Sequence, residues 1–248
     1  MGKPERASVH RIRIATYNIH KGRGIDGRVR VERIARVVGA VHPDIVALQE
    51  VVSCEGRAPE DHQARYLAEE FGYYYAIGET RKYRGGAYGN VTLSRWKFEQ
   101  TRHADLSVFG REERGVLRTD LRLGKRLVHV FNIHLGTGHL ERRKQAKRLM
   151  DTDLLKAIDI SGPRIVMGDF NEWTWGLATR TLTNGLHLTD LRGHLRRTRS
   201  YPSGLPLLHL DHIYYDQHFQ VESARFHRSR MSLVASDHLP LFADLIIE

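Results

Sequence analysis

The chain reads as an α/β protein in which two sheets pack against each other with helices on the outside. Two features of its 248 residues predict this. Short apolar runs alternate with amphipathic stretches along the whole length, and some runs pair as hairpins instead of strand–helix–strand units. No internal repeat, low-complexity tract or Pro/Ser-rich linker interrupts them. One domain over residues 10–248 is therefore expected, behind a ragged leader of residues 1–9.

The elements follow in order. Arg11–Asn18 (RIRIATYN) alternates with period two and predicts a half-buried strand. Val29–Val41 places Val29, Ile34, Val37, Val38 and Val41 at helical spacing. His42-Pro43 ends that helix, because the residue before a proline is pushed out of helical backbone. Asp44–Leu48 (DIVAL) is a short buried strand, Gln63–Phe71 a helix and Tyr73–Ile77 a strand. Beyond a Gly-rich loop, strands are expected at Asn90–Leu93, Val116–Leu123 and Arg126–Leu135, the last two joined by a hairpin turn at Gly124-Lys125. His139–Ile160 reads as one long helix with Leu140, Met150, Leu154, Leu155 and Ile158 towards the core. Late strands fit Arg164–Met167, His209–Tyr215, Gln220–Phe226 and Leu239–Ile247.

Composition excludes several classes. The chain is 41% apolar and 27% charged, as ordinary globular proteins are. No run approaches the roughly 20 apolar residues of a membrane span. Met1 to Arg11 lacks the apolar centre of a secretory signal. The single cysteine, Cys54, rules out an internal disulfide or a thiolate metal cluster, and nothing around it reads as a base that would activate it. A reducing cytoplasm is the simplest expectation. The formal charge of +10 favours anionic partners: nucleic acid, an anionic membrane surface touched peripherally, or small phosphorylated substrates.

Six segments carry the chemistry. They are Thr16-Tyr17-Asn18-Ile19-His20, Leu48-Gln49-Glu50, Asn132-Ile133-His134-Leu135, Gly168-Asp169-Phe170-Asn171, Asp211-His212-Ile213-Tyr214 and Ser236-Asp237-His238-Leu239-Pro240. Each polar residue closes or interrupts an apolar strand, where a carboxylate is costly to desolvate unless a cation or donor awaits it. Alternation puts Asn132 and His134 on one strand face, and Asp169 with Asn171 likewise if that segment stays extended.

Taken together and in this order, the segments resemble the endonuclease/exonuclease/phosphatase superfamily, the deoxyribonuclease-I-like fold. The resemblance runs from Asn18 to His238; GDFN and SDHLP are its most specific pieces. It implies a four-layer α/β/β/α sandwich, two packed mixed sheets with the site at one end. It implies a Mg²⁺-dependent phosphoester hydrolase, most simply a phosphodiesterase or endonuclease, with Mn²⁺ a possible substitute. Glu50 resembles the main metal ligand, helped by Asn18 and Asp237; hard oxygen donors suit Mg²⁺. Asp169 resembles the residue that orients or deprotonates the attacking water, and Asn171 the one that holds the phosphate. His238 looks like the imidazole against the phosphate, Asp211 its partner carboxylate, and His134 a second imidazole. The base is either Asp169 or the Asp211–His238 pair.

Other residues leave two readings open. Tyr88 and Asn90 either touch substrate or belong to a structural loop. Arg114 contacts phosphate or forms a strand-end salt bridge. Trp173 and Trp175 stack on a base or sugar, or pack. Lys21 is placed to reach a phosphate. Arg142, Arg143, Lys144, Lys147 and Arg148 read as a solvated helix face. The loop with Arg196, Arg197 and Arg199 precedes Asp211, so it is expected to flank the cleft and to suit a phosphate backbone. The expected partner is an anionic phosphoester, nucleic acid first, bound by a monomer. The alternative is a phospholipid or sphingolipid phosphodiesterase, or a phosphatase on small anionic esters. Lipid-cleaving relatives commonly carry an added apolar hairpin, which this chain lacks.

Overall fold

A computed structural model describes residues 10–56, 58–156 and 161–247 of the chain. The expected leader, residues 1–9, and the end of the expected long helix, residues 157–160 with its core position Ile158, lie outside the described residues. The strands in chain order are β1 (His10–Asn18), β2 (Ile45–Ser53), β3 (Tyr74–Tyr83) and β4 (Gly86–Ser94). Next come β5 (Phe98–Asp105), β6 (Gly115–Leu123), β7 (Arg126–His134) and β8 (Arg164–Asp169). The last four are β9 (Thr189–Asp190), β10 (Asp211–Tyr215), β11 (Phe219–Phe226) and β12 (Leu241–Ile247). They form two six-stranded sheets, ordered β11-β12-β1-β2-β4-β3 and β5-β6-β7-β8-β10-β9. Each sheet has one parallel pair at its centre, β1 with β2 and β7 with β8, flanked by antiparallel neighbours.

Three apolar layers hold the sheets and helices together, which makes the fold the four-layer sandwich expected. Ile12, Ile14, Ile45 and Ala47 of the first sheet meet Val128, Val130, Ile165 and Met167 of the second. The opposite parity, Ala15, Tyr17, Val46 and Leu48, faces α1 (Val31–Val41) and α2 (Gln63–Phe71). Phe131, Ile133 and Val166 face α3 (His139–Asp151), α4 (Asp153–Lys156) and α5 (Leu177–Arg180). A further short helix, α6 (Ser232–Ala235), precedes β12. No described helix is long and apolar enough to cross a membrane.

Several expectations need correction. The expected helix from His139 breaks at Thr152, which adopts extended backbone. Leu140 is not on its core face but 71% exposed; Ala146 and Leu149 take that place. Val29 lies outside α1. The strand β5 (FEQTRHAD) had no apolar alternation to reveal it; it is an edge strand with mostly exposed side chains, pairing only with β6. The Gly-rich stretch before Asn90 is not a loop. Arg84 and Gly85, both at positive φ, make a two-residue turn, and β4 starts at Gly86.

Candidate active site

The inner faces of both sheets turn from apolar to polar at one end. Along β1 the inward parity runs Ile12, Ile14, Thr16, Asn18; along β7 it runs Val128, Val130, Asn132, His134; along β8, Ile165, Met167, Asp169. These polar ends are the C-terminal ends of the central parallel strands, where α/β sheets gather their functional groups. Asp211 opens β10, which runs antiparallel to β8, so it arrives at the same end directly opposite Asp169. Asp237 and His238 lie just before β12, which is antiparallel to β1, and so arrive there too. Strand direction alone thus brings five separate segments to one end.

Glu50 reaches this end by a different device. Residues 45, 47 and 49 of β2 face the inter-sheet core, so strict alternation would aim Glu50 at the helices. A bulge between Leu48 and Val51, with Glu50 at φ 59°, re-aims it. Gln63 at the start of α2 holds the bend, its Oε1 accepting from Val52 N and its Nε2 donating to Lys21 O. Of the seven non-glycine residues at positive φ among the described residues, His20, Glu50 and Asn171 belong to these segments and Lys21 directly follows the first. That concentration of backbone strain in one place is typical of functional sites.

Gly168 plays a matching part in the second sheet. At φ 153° its missing Cβ leaves room for the Ile133 carbonyl, letting β8 run close beside β7. His134 and Asp169 then sit side by side in register.

Asp169 Oδ2 is the centre of the cluster. It accepts from Asn18 Nδ2 at 3.0 Å and lies 3.6 Å from Nε2 of both His134 and His238. The other nitrogen of His238, Nδ1, bonds Asp211 Oδ2 at 2.9 Å. Asp211 Oδ2 also accepts from Ser200 Oγ at 2.5 Å, and Tyr201 packs its ring 4.9 Å from that of His238. Asn18 Nδ2 donates as well to Glu50 Oε1 at 3.1 Å, linking the carboxylates of β2 and β8. Ser236 Oγ donates to the Asn18 carbonyl, which pins the segment bearing Asp237 and His238 to β1.

The charges follow from burial and neighbours. Burial and the charge of Asp211 raise Asp169 above the usual carboxylate range, against the pull of His238 and Asn18. Burial alone would depress His238, but Asp211 and Asp169 outweigh it and hold the imidazole well above its normal value. Burial, with Arg114 nearby, holds His134 well below its own. Glu50 is pushed up by its burial, yet His134, Asn18 and Lys21 bring it down to about 2. Since His134 is itself neutral at neutral pH, Asn18 and Lys21 carry that effect there. One imidazole is therefore cationic and the other neutral.

The donor chemistry fits a hard divalent cation. Glu50 is ionised and its side chain keeps 18% exposure, and Asp237 keeps 31% with His20 Nδ1, at 3.6 Å, its one ion partner among the described residues. Asn18, expected beside them, turns its amide nitrogen to the two carboxylates while its Oδ1 accepts from His20 N. The closest cluster of metal-capable atoms among the described residues is a different one, Asp169, Asp211 and His238, within 4.8 Å of one another. Those three already engage each other as an acid–imidazole–acid chain. Glu50 and Asp237 are the better-placed donors because they remain open to solvent.

The softer expectations divide. Lys21 Nζ lies 3.8 Å from Glu50 Oε2 and 5.5 Å above the Tyr88 ring. Tyr88 and Asn90 are 1% exposed and belong to β4, not to a loop, with Asn90 donating to the carbonyls of Gly115 and Asn132. Arg114 forms the salt bridge, to Glu112 at 2.9 Å, and is 5% exposed. Asn171 does not continue the strand. Its N–H donates to Asp169 Oδ1 and its side chain to Leu135 O, so a turn, not alternation, carries it next to the carboxylate.

Trp173 and Trp175 are 49% and 50% exposed, so they do not pack into a core. Arg142 stands 5.4 Å from the Trp173 ring; it is buried, donating to Gly136 O and Thr137 O, and so departs from the solvated face formed by Arg143, Lys144, Lys147 and Arg148. Cys54 is buried and donates to Tyr83 O. The loop before Asp211 does border the cluster, but through Ser200 and Tyr201. Its arginines line a separate cavity. Ser200 and Tyr201 escaped the sequence reading because nothing local marks them. Gln49, bonded to Thr16 in its own sheet and to Asn132 in the other, left one signal: a polar residue inside an apolar run.

This chain belongs to the endonuclease/exonuclease/phosphatase family, whose sequence pattern matches residues 15–238. Members of that family are in general hydrolases of phosphoesters. The uncharacterized protein YbhP of Escherichia coli (strain K12) is 31% identical over 98% of this chain and 99% of its own. Among solved structures, the endonuclease/exonuclease/phosphatase of Bacteroides vulgatus superposes with TM-score 0.78 at 20% identity, covering 96% of this chain and all (100%) of its own. The mannosyl-6-phosphatase of Bacteroides thetaiotaomicron VPI-5482 does so with TM-score 0.76 at 18% identity, covering 94% and 99%.

Proposed function

We propose that the chain is a Mg²⁺-dependent phosphodiesterase that cuts nucleic acid by in-line attack of water. The observation that carries this reading is the meeting of Asn18, His134 and His238 on one oxygen of Asp169, beside the open carboxylates Glu50 and Asp237. In-line displacement at phosphorus builds negative charge on non-bridging oxygens, so fixed cations and donors do most of the work. Glu50 would hold the cation with Asp237 and Asn18, Mn²⁺ would serve in its place, and when bound the ion would neutralise phosphate charge and lower the pKa of water.

The remaining steps belong to the chain's own side chains. Asp169 accepts the proton of the attacking water. His238 sits between two carboxylates, one at each ring nitrogen, so it keeps both protons and faces the phosphate as a cation. That arrangement favours Asp169 over the Asp211–His238 pair as base. His134 and Asn171 position the phosphate oxygens. The charge of +10 and the exposed rings of Trp173 and Trp175 support a nucleic-acid substrate, since bases stack on exposed aromatics. The likeness to a mannosyl-6-phosphatase supports a second reading, hydrolysis of small anionic phosphoesters.

The test offers purified protein supercoiled plasmid, abasic duplex, single-stranded RNA, phospholipid vesicles and inositol phosphates with Mg²⁺. Nicking that stops with EDTA and in Asp169→Ala supports the proposal. Turnover confined to inositol phosphates or vesicles replaces it with the alternative, and equal nicking by Asp169→Ala sinks it.

A further inference from the structure

A second concavity, of about 900 Å³, lies between β11 and the loop that follows β9. Its lining contains none of the residues assigned above to the cation or the phosphate. Instead it holds Arg196, Arg197, Arg199, Arg225 and Arg228, all exposed residues. Glu222 is the one carboxylate of the lining, and Arg11 already engages it at 2.6 Å. Arg196, Arg197, Arg199 and Arg228 have no ion pair among the described residues. Arg225 stands over the Phe242 ring at 4.7 Å.

Five guanidinium groups around one hollow repel each other and raise a positive potential inside it. The matching ligand is an anion with several charges, because a single monoanion would leave most of them uncompensated. Guanidinium forks suit phosphoryl oxygens, which they bond in pairs. The volume is that of a small-molecule site, not of an open track for a long strand. We infer that this cavity is a second anion-binding site, built for a small molecule carrying two or more phosphoryl groups.

Its wall adjoins the acid–imidazole chain. Arg199 precedes Ser200, which donates to Asp211, and Leu239 lines the cavity directly after His238. A ligand held there braces the backbone that carries both contacts.

Calorimetric titration of the full chain with inorganic tripolyphosphate, in Mg²⁺ buffer, tests the site, with a nucleoside triphosphate as a second arm. One saturable equivalent is expected to bind, and Arg196→Ala/Arg197→Ala/Arg228→Ala is expected to weaken it by about a hundred-fold. These side chains are exposed, so the variant should keep the wild-type thermal midpoint; if it does not fold, the single variant Arg197→Glu gives the same readout. Equal binding by the nucleoside triphosphate supports a site that reads phosphoryl groups, and tighter binding assigns it to nucleotides. Unchanged affinity in the arginine variants, or binding that never saturates, overturns the inference. So does arginine-dependent binding of single-stranded DNA that tripolyphosphate cannot displace.

Discussion

His238 Nδ1 and Asp211 Oδ2 lie 2.9 Å apart, although the two residues reach that point from different sheets. Asp211 is fully buried and starts β10 of the second sheet, and His238 leads into β12 of the first. The bond fixes the imidazole so that Nε2 points at Asp169. It therefore sets the protonation of His238 and its orientation together.

Replacing Asp211 with Asn keeps the shape but removes the charge that supports the imidazolium. Turnover should fall by about 10²–10⁴-fold while substrate affinity changes little. Steady-state kinetics on the substrate identified by the panel would show this; an unchanged kcat would remove Asp211 from the mechanism.

Asp169→Asn should cost turnover on a similar scale, about 10²–10⁴-fold, with the fold retained. The fold holds this carboxylate at a raised pKa, so its ionised form is costly to bury. Thermal unfolding of the variant should accordingly match or exceed wild type, the usual exchange of stability for a strained site. A large drop in midpoint would mean that Asp169 is mainly structural.

Asn132 has the opposite profile. It donates to Leu48 O and Val91 O and accepts from Gln49 Nε2, joining both sheets beneath the site. Asn132→Leu leaves those buried groups without partners and should lower unfolding free energy by about 3 kcal/mol. Urea denaturation measures the change, and a loss near zero would show that the sheets do not depend on this amide.

Stability should also fall in mild acid. His209 and His212 are buried with their rings 4.3 Å apart. Burial first, then Arg192, bring His209 down to about 4; burial and His209 hold His212 well below its usual range. The unfolded chain gains protons at these groups near pH 6.5 while the folded chain does not. The stability they give is thus complete above pH 6.5 and declines as pH falls from there towards 4. For His209 the full loss is roughly 3 kcal/mol. Thermal midpoints measured from pH 7 to 4 should show the slope, and His209→Gln should flatten it.

Much of the site was legible in the residues, for a physical reason. A polar group at the end of an apolar strand is expensive, so Asn18, Glu50, His134, Asp169 and Asp211 stand out against the runs they close. Asn18 closes a run with period-two alternation and Glu50 a short continuous apolar run, and the order of the segments pointed to the family. Elements with weak alternation were hidden: β5 carries charges on an exposed edge, and the helix from His139 has too few apolar positions for its end to be read.

By itself the sequence determined which side chains would be buried at strand ends, because desolvation depends on composition along a single strand. Only the tertiary structure decided where they point. Glu50 faces the site because a left-handed bulge reverses its side, and Asn171 because an Asp169-capped turn replaces the strand. Ser200 and Tyr201 serve His238 and its partner because a loop folds back over them, and the five arginines share a cavity because β11 and that loop face each other. Such relations depend on contacts between distant segments, and no local pattern of residues encodes them.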